Sequence, residues 1–314
     1  MKVVVTGGAG FIGANLCRSL RNESFVDRLI VIDDLSSGRQ ENLEAVDGVE
    51  LVTGSILDSP LLDGAFQGAG AVVHLAARPS VPRSMEDPMA SHLVNATGTM
   101  EVLEAARRAG NPQVVVASSS SVYGANPTLP KREDHVAMPA SPYAASKLSA
   151  ESYTLAYGRC FDVPVLAFRF FNVFGPLQSA DHEYAAVIPA FIDSALRENP
   201  LPVHGDGYQS RDFTFVDSVT AVLTDSVRRK VTDTEPVNLA FGSRVSLLDL
   251  IGLLEKVLGR SLDRNHMDQR PGDVRDSQAD QTKLRELFPA IQPVTLEKGL
   301  RSTVDWFQAE LLKK

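Results

Sequence analysis

The chain has 314 residues, 44% of them hydrophobic and 22% charged, which is typical of a globular protein with two domains or one large one. Its net charge of −8, with both signs interspersed, provides no basic surface for nucleic acid and no polybasic membrane anchor, so neither partner is expected. The two cysteines and six histidines lack zinc, disulfide or metal-ligand spacing, so no metal is expected.

Short apolar runs rich in β-branched residues alternate with longer helical patterns through the first half of the chain. These runs predict strands over 2–6, 29–33, 49–53, 71–75, 113–118 and 165–170. The clearest helices between them are predicted over 11–21, 93–109 and 142–157. Continuously apolar strands that alternate with helices imply a parallel sheet covered on both faces. The sequence therefore predicts a doubly wound α/β fold.

The alternation of apolar runs and helical patterns becomes less regular after Asn172, where glycine, proline and charged residues interrupt the apolar runs. We expect one domain over 1–172, joined by parts of 211–245, and a smaller C-terminal α/β domain over 173–314. Amphipathic helices are predicted over 246–258 and 296–312, and core packing explains both. The chain opens on a strand without a charged leader, and no run of eighteen apolar residues follows, so the cytoplasm is the expected location.

A glycine-rich turn joins the first predicted strand to the first helix. Gly7, Gly10 and Gly13 permit a tight turn and close approach of the backbone to a diphosphate, which the helix N-terminus attracts. Asp33 ends the second strand, where a carboxylate accepts hydrogen bonds from the adenosine ribose of NAD and repels the extra phosphate of NADP. Although Asp33 could also be a plain turn residue, the combination predicts a Rossmann-type NAD site.

Two further patterns follow, each of which has an ordinary structural explanation by itself. The fifth strand ends in the run Ser118 to Ser121, and those hydroxyls are expected to face the cofactor crevice. In "SPYAASK", Tyr143 and Lys147 are four residues apart, so they share one face of a helix. An exposed tyrosine packed on a lysine stem would show the same spacing.

Together, the glycine turn, the aspartate, the serine run and the Y-x-x-x-K helix resemble the extended short-chain dehydrogenase/reductase family, with its NAD-dependent epimerases and dehydratases. The resemblance covers nearly the whole chain and implies that the catalytic residues are Ser119, Tyr143 and Lys147. A free tyrosine has a pKa near 10, and the charges of Lys147 and the nicotinamide are expected to lower it by roughly 1 to 3 units. Tyr143 then becomes a general base.

The resemblance also implies two sets of binding residues. The cofactor set comprises Gly7, Gly10, Phe11, Ile12, Gly13, Asp33, Asp34, Ser36, Ser37, Gly38, Ser55, Ile56, Leu75, Ala76, Ala77, Asn95, Tyr143 and Lys147. The substrate set comprises Ser84, Ser119, Ser120, Ser121, Tyr143, Asn172, Ala186, Val187, Arg211, Arg270, Asp273 and Ser277. Two departures from the family pattern are Ser55, which stands where an aspartate is usual, and Arg78, which replaces a small residue.

Segments such as "HLAARPSVPRS", "RFFNVFGP" and "GDGYQSRDFTFV" look like bacterial UDP-N-acetylglucosamine and UDP-glucose 4-epimerases. In that group, the residues matching Asn172, Arg211 and Arg270 bind UDP, and two arginine forks suit a diphosphate, although either arginine could be a surface ion-pair partner. Ser120 and Ser121 stand where the dehydratases carry Asp-Glu, which argues against dehydration and decarboxylation. Ser277 stands where epimerases of non-acetylated sugars place tyrosine, so an N-acetyl group is expected to fit.

The expected function is interconversion of UDP-N-acetylglucosamine with UDP-N-acetylgalactosamine, and of UDP-glucose with UDP-galactose, through a 4-keto sugar and retained NAD. UDP-glucuronate 4-epimerisation is an alternative, although such enzymes usually read "FTVYG" where this chain reads "FNVFG". Two further alternatives are a ketosugar reductase that releases NADH and a catalytically silent NAD-binding sensor. A homodimer through the helices predicted over 93–109 and 142–157 is expected, although their apolar faces could belong to the monomer core.

Overall fold

The computed structural model describes residues 1–180, 185–268 and 275–312. Seven parallel strands form its main sheet in the order β11-β6-β5-β4-β1-β2-β3. Their bounds are β1 Lys2–Thr6, β2 Arg28–Asp33, β3 Val49–Thr53, β4 Ala69–His74, β5 Gln113–Ser119, β6 Val165–Phe170 and β11 Val237–Leu239. The chain moves outward from β1 in both directions, which confirms the doubly wound α/β fold.

Helices cover both faces of this sheet. Their bounds are α1 Phe11–Arg21, α2 Ser59–Phe66, α3 Val81–Glu86, α4 Pro88–His92, α5 Gly98–Arg108, α6 Pro142–Phe161 and α8 Val216–Arg229. One hydrophobic core packs α1 and α8 against the sheet, and another packs α2 and α5 against the opposite face. The central strands are therefore buried on both sides, as their continuous apolar sequences predict, whereas the edge strand β3 is only partly buried.

The C-terminal half contributes short strands and four further helices. Two-residue strands are β7 Val173–Phe174, β9 Ser210–Arg211, β10 Thr214–Phe215 and β12 Val245–Ser246, while β8 Leu201–His204 pairs with β13 Arg264–Met267. The helices are α7 Val187–Leu196, α9 Leu247–Leu258, α10 Thr282–Leu287 and α11 Leu296–Leu311. A separate hydrophobic core joins α7, α9 and α11. The proposed division into two domains stays a prediction.

The predicted helix over 93–109 differs from the structure. Helical backbone begins at Pro88, after Asp87 caps α4 by accepting from the Ala90 amide, and it passes through a π-helical turn, Leu93–Thr97, before α5. A π turn adds a residue to the helical repeat, so the apolar residues before and after this turn do not follow one continuous helical spacing. The π turn contains Asn95, whose side chain contacts the loop after β4.

Candidate active site

A cleft of about 670 Å³ lies at the carboxyl ends of the sheet strands, around the paired neighbours β1 and β4, between which the strand order reverses. Open α/β sheets bind ligands at this switch point. Most of the predicted cofactor set lines the cleft, namely Gly7, Gly10, Phe11, Ile12, Gly13, Asp33, Asp34, Ser36, Ser37, Ser55, Ile56, Leu75, Ala76, Ala77, Tyr143 and Lys147. Residues from distant parts of the sequence thus meet around one elongated cavity.

The glycine turn forms a cradle that side chains would fill. Gly7 has φ 72°, and a Cβ there would lie 2.5 Å from the Ala76 nitrogen. A Cβ on Gly13 would lie 2.2 Å from the Gly7 carbonyl oxygen. α1 begins directly after Gly10, and no side chain caps its first turn. This close approach and the exposed N-terminal amides fit the diphosphate of a dinucleotide.

Asp33, the last residue of β2, is fixed beside the glycine turn. Its Oδ2 accepts from the Ala9 amide at 2.9 Å and its Oδ1 accepts from the Leu35 amide at 2.9 Å. Burial raises the pKa of this carboxyl, while those two hydrogen bonds lower it. Gly38, which does not line the cleft, packs behind the carboxylate, since a Cβ there would lie 3.0 Å from Asp33 Oδ1. The position of Asp33 fits recognition of a ribose.

The three predicted catalytic residues line the same cleft. Ser141 caps α6 by accepting from the Ala144 amide at 3.1 Å, and Pro142 occupies the first turn, so the helix begins just before Tyr143. Lys147 follows one turn later and its Nζ donates to the Ala117 carbonyl oxygen at 2.7 Å. The helix start and this hydrogen bond hold Tyr143 and Lys147 against the end of β5, which carries Ser119.

The pKa of the Tyr143 phenol differs from the sequence-based expectation. Burial raises this pKa, and hydrogen bonding with Ser119 lowers it by a smaller amount. Burial also lowers the pKa of Lys147 to about 8, which weakens the cation that was expected to favour the phenolate. Desolvation therefore outweighs the effect of Lys147, and the positive nicotinamide ring is the charge that would favour ionisation.

Only Ser118 and Ser119 of the serine run line the cleft, which corrects the expectation that all four hydroxyls face it. The Ser118 hydroxyl itself donates to Glu151 Oε2 at 2.6 Å in the interior. Ser119 faces the cleft, and its Oγ accepts from the Ser121 amide at 3.2 Å and from the Ser121 hydroxyl at 2.9 Å. Ser120 and Ser121 start a 3-10 turn, Ser120–Tyr123, and neither lines this cleft. Adjacent residues of a strand face opposite sides, so Ser118 and Ser119 separate.

Asn95 and Ser84 occupy supporting positions. The Asn95 amide accepts from the Arg78 nitrogen at 2.7 Å, and it donates to the Arg78 carbonyl oxygen at 3.1 Å and to Ser146 Oγ at 3.0 Å. The Ser84 hydroxyl is fully buried and donates to the Val81 carbonyl oxygen at 2.6 Å. Neither residue lines the cleft, and their roles in binding cofactor and substrate stay predictions.

A second cleft, of about 200 Å³, continues from the first and shares Asn172 and Val173 with it. It is lined by three more residues of the predicted substrate set, Ala186, Val187 and Arg211. Asn172 has φ 33°, and its amide donates to the Asp212 carbonyl oxygen at 3.1 Å. A substrate that occupied both clefts would pass Asn172 on its way from Arg211 to Tyr143.

The segment after residue 274 borders the strand that carries Arg211. Arg211 Nη1 donates to the carbonyl oxygens of Ser210 at 2.9 Å and Arg275 at 3.0 Å. The Ser277 amide donates to the Ser210 carbonyl oxygen at 3.0 Å, which brings Ser277 beside Arg211. Arg270 and Asp273, two of the predicted substrate residues, lie outside the described residues.

Sequence reasoning missed Asp212, which joins the segments around the second cleft. Its fully buried carboxylate accepts from the Ala279 amide at 3.0 Å and the Ser243 hydroxyl at 2.9 Å. Burial raises its pKa to about 6. The sequence reasoning also missed residues that line the first cleft, including Phe170 and Gln178. The "RDF" in the quoted segment was the available signal for Asp212, since an acid directly before the largely apolar stretch 213–216 is unusual.

The described residues contain no cluster of histidine, cysteine or acidic side chains that could hold a metal ion. None of the described helices combines the length and apolar character needed to span a membrane.

Comparison with known proteins identifies the group to which these features belong. Residues 3–240 match the model of the NAD dependent epimerase/dehydratase family. The chain is 36% identical to a UDP-glucose 4-epimerase of Mycolicibacterium smegmatis, over 98% of this chain and 99% of that protein.

Two solved structures are also similar over almost their whole length. A UDP-N-acetylglucosamine 4-epimerase from Methanobrevibacter ruminantium, in complex with UDP-N-acetylmuramic acid, has a TM-score of 0.92 and 34% identity, and covers 98% of each chain. A UDP-glucuronic acid 4-epimerase from Bacillus cereus, in complex with UDP-glucuronic acid and NAD, has a TM-score of 0.90 and 31% identity, over 99% of this chain and 100% of that one. This chain therefore belongs to the NAD-dependent epimerase/dehydratase family, among its UDP-sugar 4-epimerases, which confirms both the resemblance found in the sequence and the predicted cofactor.

Proposed function

We propose that this chain interconverts UDP-N-acetylglucosamine and UDP-N-acetylgalactosamine, and also UDP-glucose and UDP-galactose. The observation that carries the proposal is that Ser119, Tyr143 and Lys147 line one cleft with the glycine turn and Asp33, and that this cleft continues through Asn172 to Arg211. One continuous cavity thus offers sites for a dinucleotide, a reacting sugar and the diphosphate of that sugar.

Each residue has a defined task in this proposal. Bound NAD supplies a hydride acceptor and donor for carbon 4 of the sugar. The Tyr143 phenolate takes the proton of the 4-hydroxyl and, as the phenol, later returns it, and Ser119 holds that hydroxyl through a hydrogen bond. Lys147, anchored on the Ala117 carbonyl, holds the ribose next to the nicotinamide. Arg211 binds the substrate diphosphate, so the sugar can turn while its nucleotide stays in place.

The choice of sugar rests on Ser277. Its backbone is held beside the strand that carries Arg211, and a serine in place of the tyrosine of epimerases of non-acetylated sugars would leave room for an N-acetyl group at carbon 2 of the sugar. The relatives include enzymes named for glucose, N-acetylglucosamine and glucuronate, so UDP-glucuronate remains the alternative substrate.

Proton NMR of UDP-N-acetylglucosamine and, separately, UDP-glucose, each incubated with purified protein and no added NAD, tests the proposal. We expect the corresponding galacto sugar to accumulate to an equilibrium mixture. Tyr143→Phe should reduce turnover by roughly 10² to 10⁴-fold, whereas Tyr153→Phe, an exposed tyrosine of the same helix, should not. Unchanged sugars after NAD is supplied would overturn the proposal, and steady release of NADH would favour a reductase.

We also propose that the chain forms a homodimer through the outer face of α3, α4 and α6. Met85, Met89, Leu93 and Tyr153 expose 64%, 73%, 47% and 41% of their surface. These four residues lie on helices that pack against one another, so they supply the apolar anchors of a symmetric contact with a second copy. Light scattering of the wild type should give twice the single-chain mass of 34.0 kDa. Met89→Glu should lower the measured mass toward that of one chain.

A further inference from the structure

The 3-10 turn after β5 gives the hydroxyl of Ser119 two donors from one neighbouring residue. Its Oγ accepts from the Ser121 amide at 3.2 Å and from the Ser121 hydroxyl at 2.9 Å. The amide bond follows from local structure, because Ser119 ends β5 in an extended conformation and caps the turn Ser120–Tyr123, and serine side chains commonly accept from the amide two residues on. The second bond is different, since it requires a hydroxyl at residue 121.

These two bonds decide what the Ser119 hydroxyl can still do. A serine hydroxyl has one hydrogen to donate and two lone pairs that accept. The two donors of Ser121 occupy both lone pairs of Ser119, so Ser119 can act only as a donor toward any third group. That third group is the Tyr143 phenol, because hydrogen bonding with Ser119 lowers the pKa of the phenol. A bond donated to the phenolate oxygen has this effect, which agrees with the count of lone pairs.

Ser121 lies close to the reacting groups but does not line the cleft. Ser119 and Tyr143 both line it. The sequence predicts that Ser121 contacts the substrate, whereas in the structure its hydroxyl is directed at Ser119. Any effect of the Ser121 hydroxyl on the reaction is therefore transmitted through Ser119.

We propose that Ser121 is a positioning residue that fixes Ser119 as a hydrogen-bond donor to the reacting oxygen atoms, which are those of the Tyr143 phenolate and of carbon 4 of the sugar. The inference rests on the proposed 4-epimerase function and adds a residue to its proton transfer. As the proton moves, the O–H bond of the 4-hydroxyl breaks and the O–H bond of Tyr143 forms. Ser119 keeps its own proton throughout, so the sugar proton passes directly to Tyr143 rather than through the serine.

Charged side chains of the cleft also act on the Tyr143 phenol. Lys147 lies on the same helix, and the others come from the end of β2 and from the segment after β4, namely Asp33, Asp34, Arg78, Arg83 and Glu86. These charges are the same in the wild type and in a variant of Ser121. A difference between the two proteins therefore reports the Ser121 hydroxyl.

A double-mutant cycle tests whether Ser121 acts through Ser119. We expect Ser121→Ala to lower kcat about 10-fold on both proposed sugars and to leave KM within about 2-fold, since the lost hydrogen bond supports the proton transfer. In a Ser119→Ala background, the same change should lower kcat by less than about 2-fold. Ser121→Thr, which keeps the hydroxyl, should recover most of the lost rate.

Ser149→Ala is the matched control for the loss of a serine hydroxyl. The Ser149 hydroxyl donates to the Ala145 carbonyl oxygen at 3.1 Å on the surface of α6, the helix that carries Tyr143. This variant should keep kcat within about 2-fold of wild type, because an exposed hydrogen bond to the backbone contributes little.

A second readout needs no turnover. Absorbance of the phenolate during a pH titration of the NAD-bound protein, minus that of the matching Tyr143→Phe variant, isolates the Tyr143 phenol. Ser121→Ala should move the midpoint upward by roughly half a pH unit or more, because a Ser119 hydroxyl without the second donor gives a weaker bond to the phenolate.

Losses of kcat that multiply in the double-mutant cycle would overturn the inference, since Ser121 would then act independently of Ser119. An effect of Ser121→Ala on KM alone would do the same, because it would indicate a direct contact with substrate. An unchanged titration midpoint in Ser121→Ala would also contradict the inference. If the wild-type protein turned over no UDP-sugar, the proposed function would fail separately, and the titration of the phenol would still decide the role of Ser121.

Discussion

Arg169 and Glu151 form a two-pronged ion pair beneath the ends of β5 and β6. Arg169 Nη2 donates to Glu151 Oε1 at 2.7 Å and Nε donates to Oε2 at 2.9 Å, with only 5% and 4% of the two side chains exposed. Glu151 lies one turn after Lys147 on α6, and it also accepts from Ser118. The pair therefore joins the catalytic helix to β5, which carries Ser119, and to β6, after which Asn172 follows.

Breaking this buried pair should destabilise the protein strongly. Glu151→Gln leaves Arg169 buried without a counter-charge, and we expect the free energy of unfolding to fall by roughly 3 kcal/mol. Urea unfolding measures the loss. Glu50→Gln is the control, because the Arg28–Glu50 pair is exposed on both sides and should change stability by less than about 1 kcal/mol. Similar losses in the two variants would show that burial does not govern the contribution of the Arg169–Glu151 pair.

Filling the glycine cradle should remove NAD. A Cβ on Gly13 would lie 2.2 Å from the Gly7 carbonyl oxygen and 2.6 Å from the Gly8 Cα, so Gly13→Ala must displace backbone that approaches the diphosphate. We expect the purified variant to retain less than about a tenth of the NAD of wild type and to lose roughly 1 to 3 kcal/mol of stability. Chromatography of the nucleotide released on denaturation measures the first quantity.

Gly64→Ala is the matched control for Gly13→Ala. A Cβ on Gly64 meets nothing within 4 Å, and Gly64 lies inside α2. Alanine there should stabilise the protein by roughly 0.5–1 kcal/mol and leave its NAD content unchanged. Full NAD occupancy in Gly13→Ala would contradict the role assigned to the close glycine packing.

His74 should make stability depend on pH. Thr99 Oγ1 donates to the Asn95 carbonyl oxygen at 2.6 Å, so it accepts from His74 Nε2 at 3.0 Å, and Thr6 then donates to Nδ1 at 2.7 Å. These hydrogen bonds require a neutral ring. Burial, together with the charge of Lys147, lowers the pKa of His74 to about 3.

Between pH 6.5, the ordinary pKa of histidine, and about pH 3, the unfolded chain binds a proton at His74 that the folded chain does not. Stability from this group is therefore complete above pH 6.5 and falls by about 1.4 kcal/mol per pH unit on acidification below it. Urea unfolding at pH 7.5, 6 and 5 should show a shallower dependence in His74→Gln than in wild type or in the exposed-site control His92→Gln. Parallel curves for all three proteins would contradict the assignment.

Ser277→Tyr tests the proposed basis of sugar size. The larger side chain should reduce 4-epimerisation of UDP-N-acetylglucosamine by about 10-fold or more and leave that of UDP-glucose within about 3-fold, because only the acetylated sugar needs the space. Ser277→Ala, which adds no volume, should leave both rates near those of wild type. Initial rates by proton NMR measure both, and an equal loss on the two sugars would count against the size argument.

The central strands and the cofactor side of the cleft were predictable because their signals are local. The continuous apolar run over 2–6 can only be buried, and it coincides with β1. The glycine turn and Asp33 lie directly after their strands, so the carboxyl edge of a parallel sheet brings them together whatever the remaining fold.

The remaining features depend on contacts between distant residues. The inward direction of Ser118 follows from Glu151 and Arg169, and no pattern within "ASSSS" indicates which hydroxyl faces the interior. Val237–Leu239 is too short to stand out from the sequence, and it becomes a strand by pairing with β6. The π turn at Leu93–Thr97 likewise places Asn95 to bind Arg78, a contact that helical periodicity does not encode.

The backbone of Asn172 restricts which side chains can occupy the junction of the two clefts. Asparagine tolerates its φ of 33° at the junction of the two clefts, whereas threonine, the residue in "FTVYG", is β-branched and strained in that conformation. Exchanging Asn172 for threonine alone would force the main chain to shift, and with it the amide hydrogen bond to the Asp212 carbonyl. A threonine at this position would therefore need accompanying changes around residue 212 to keep the junction of the two clefts as it is in this chain.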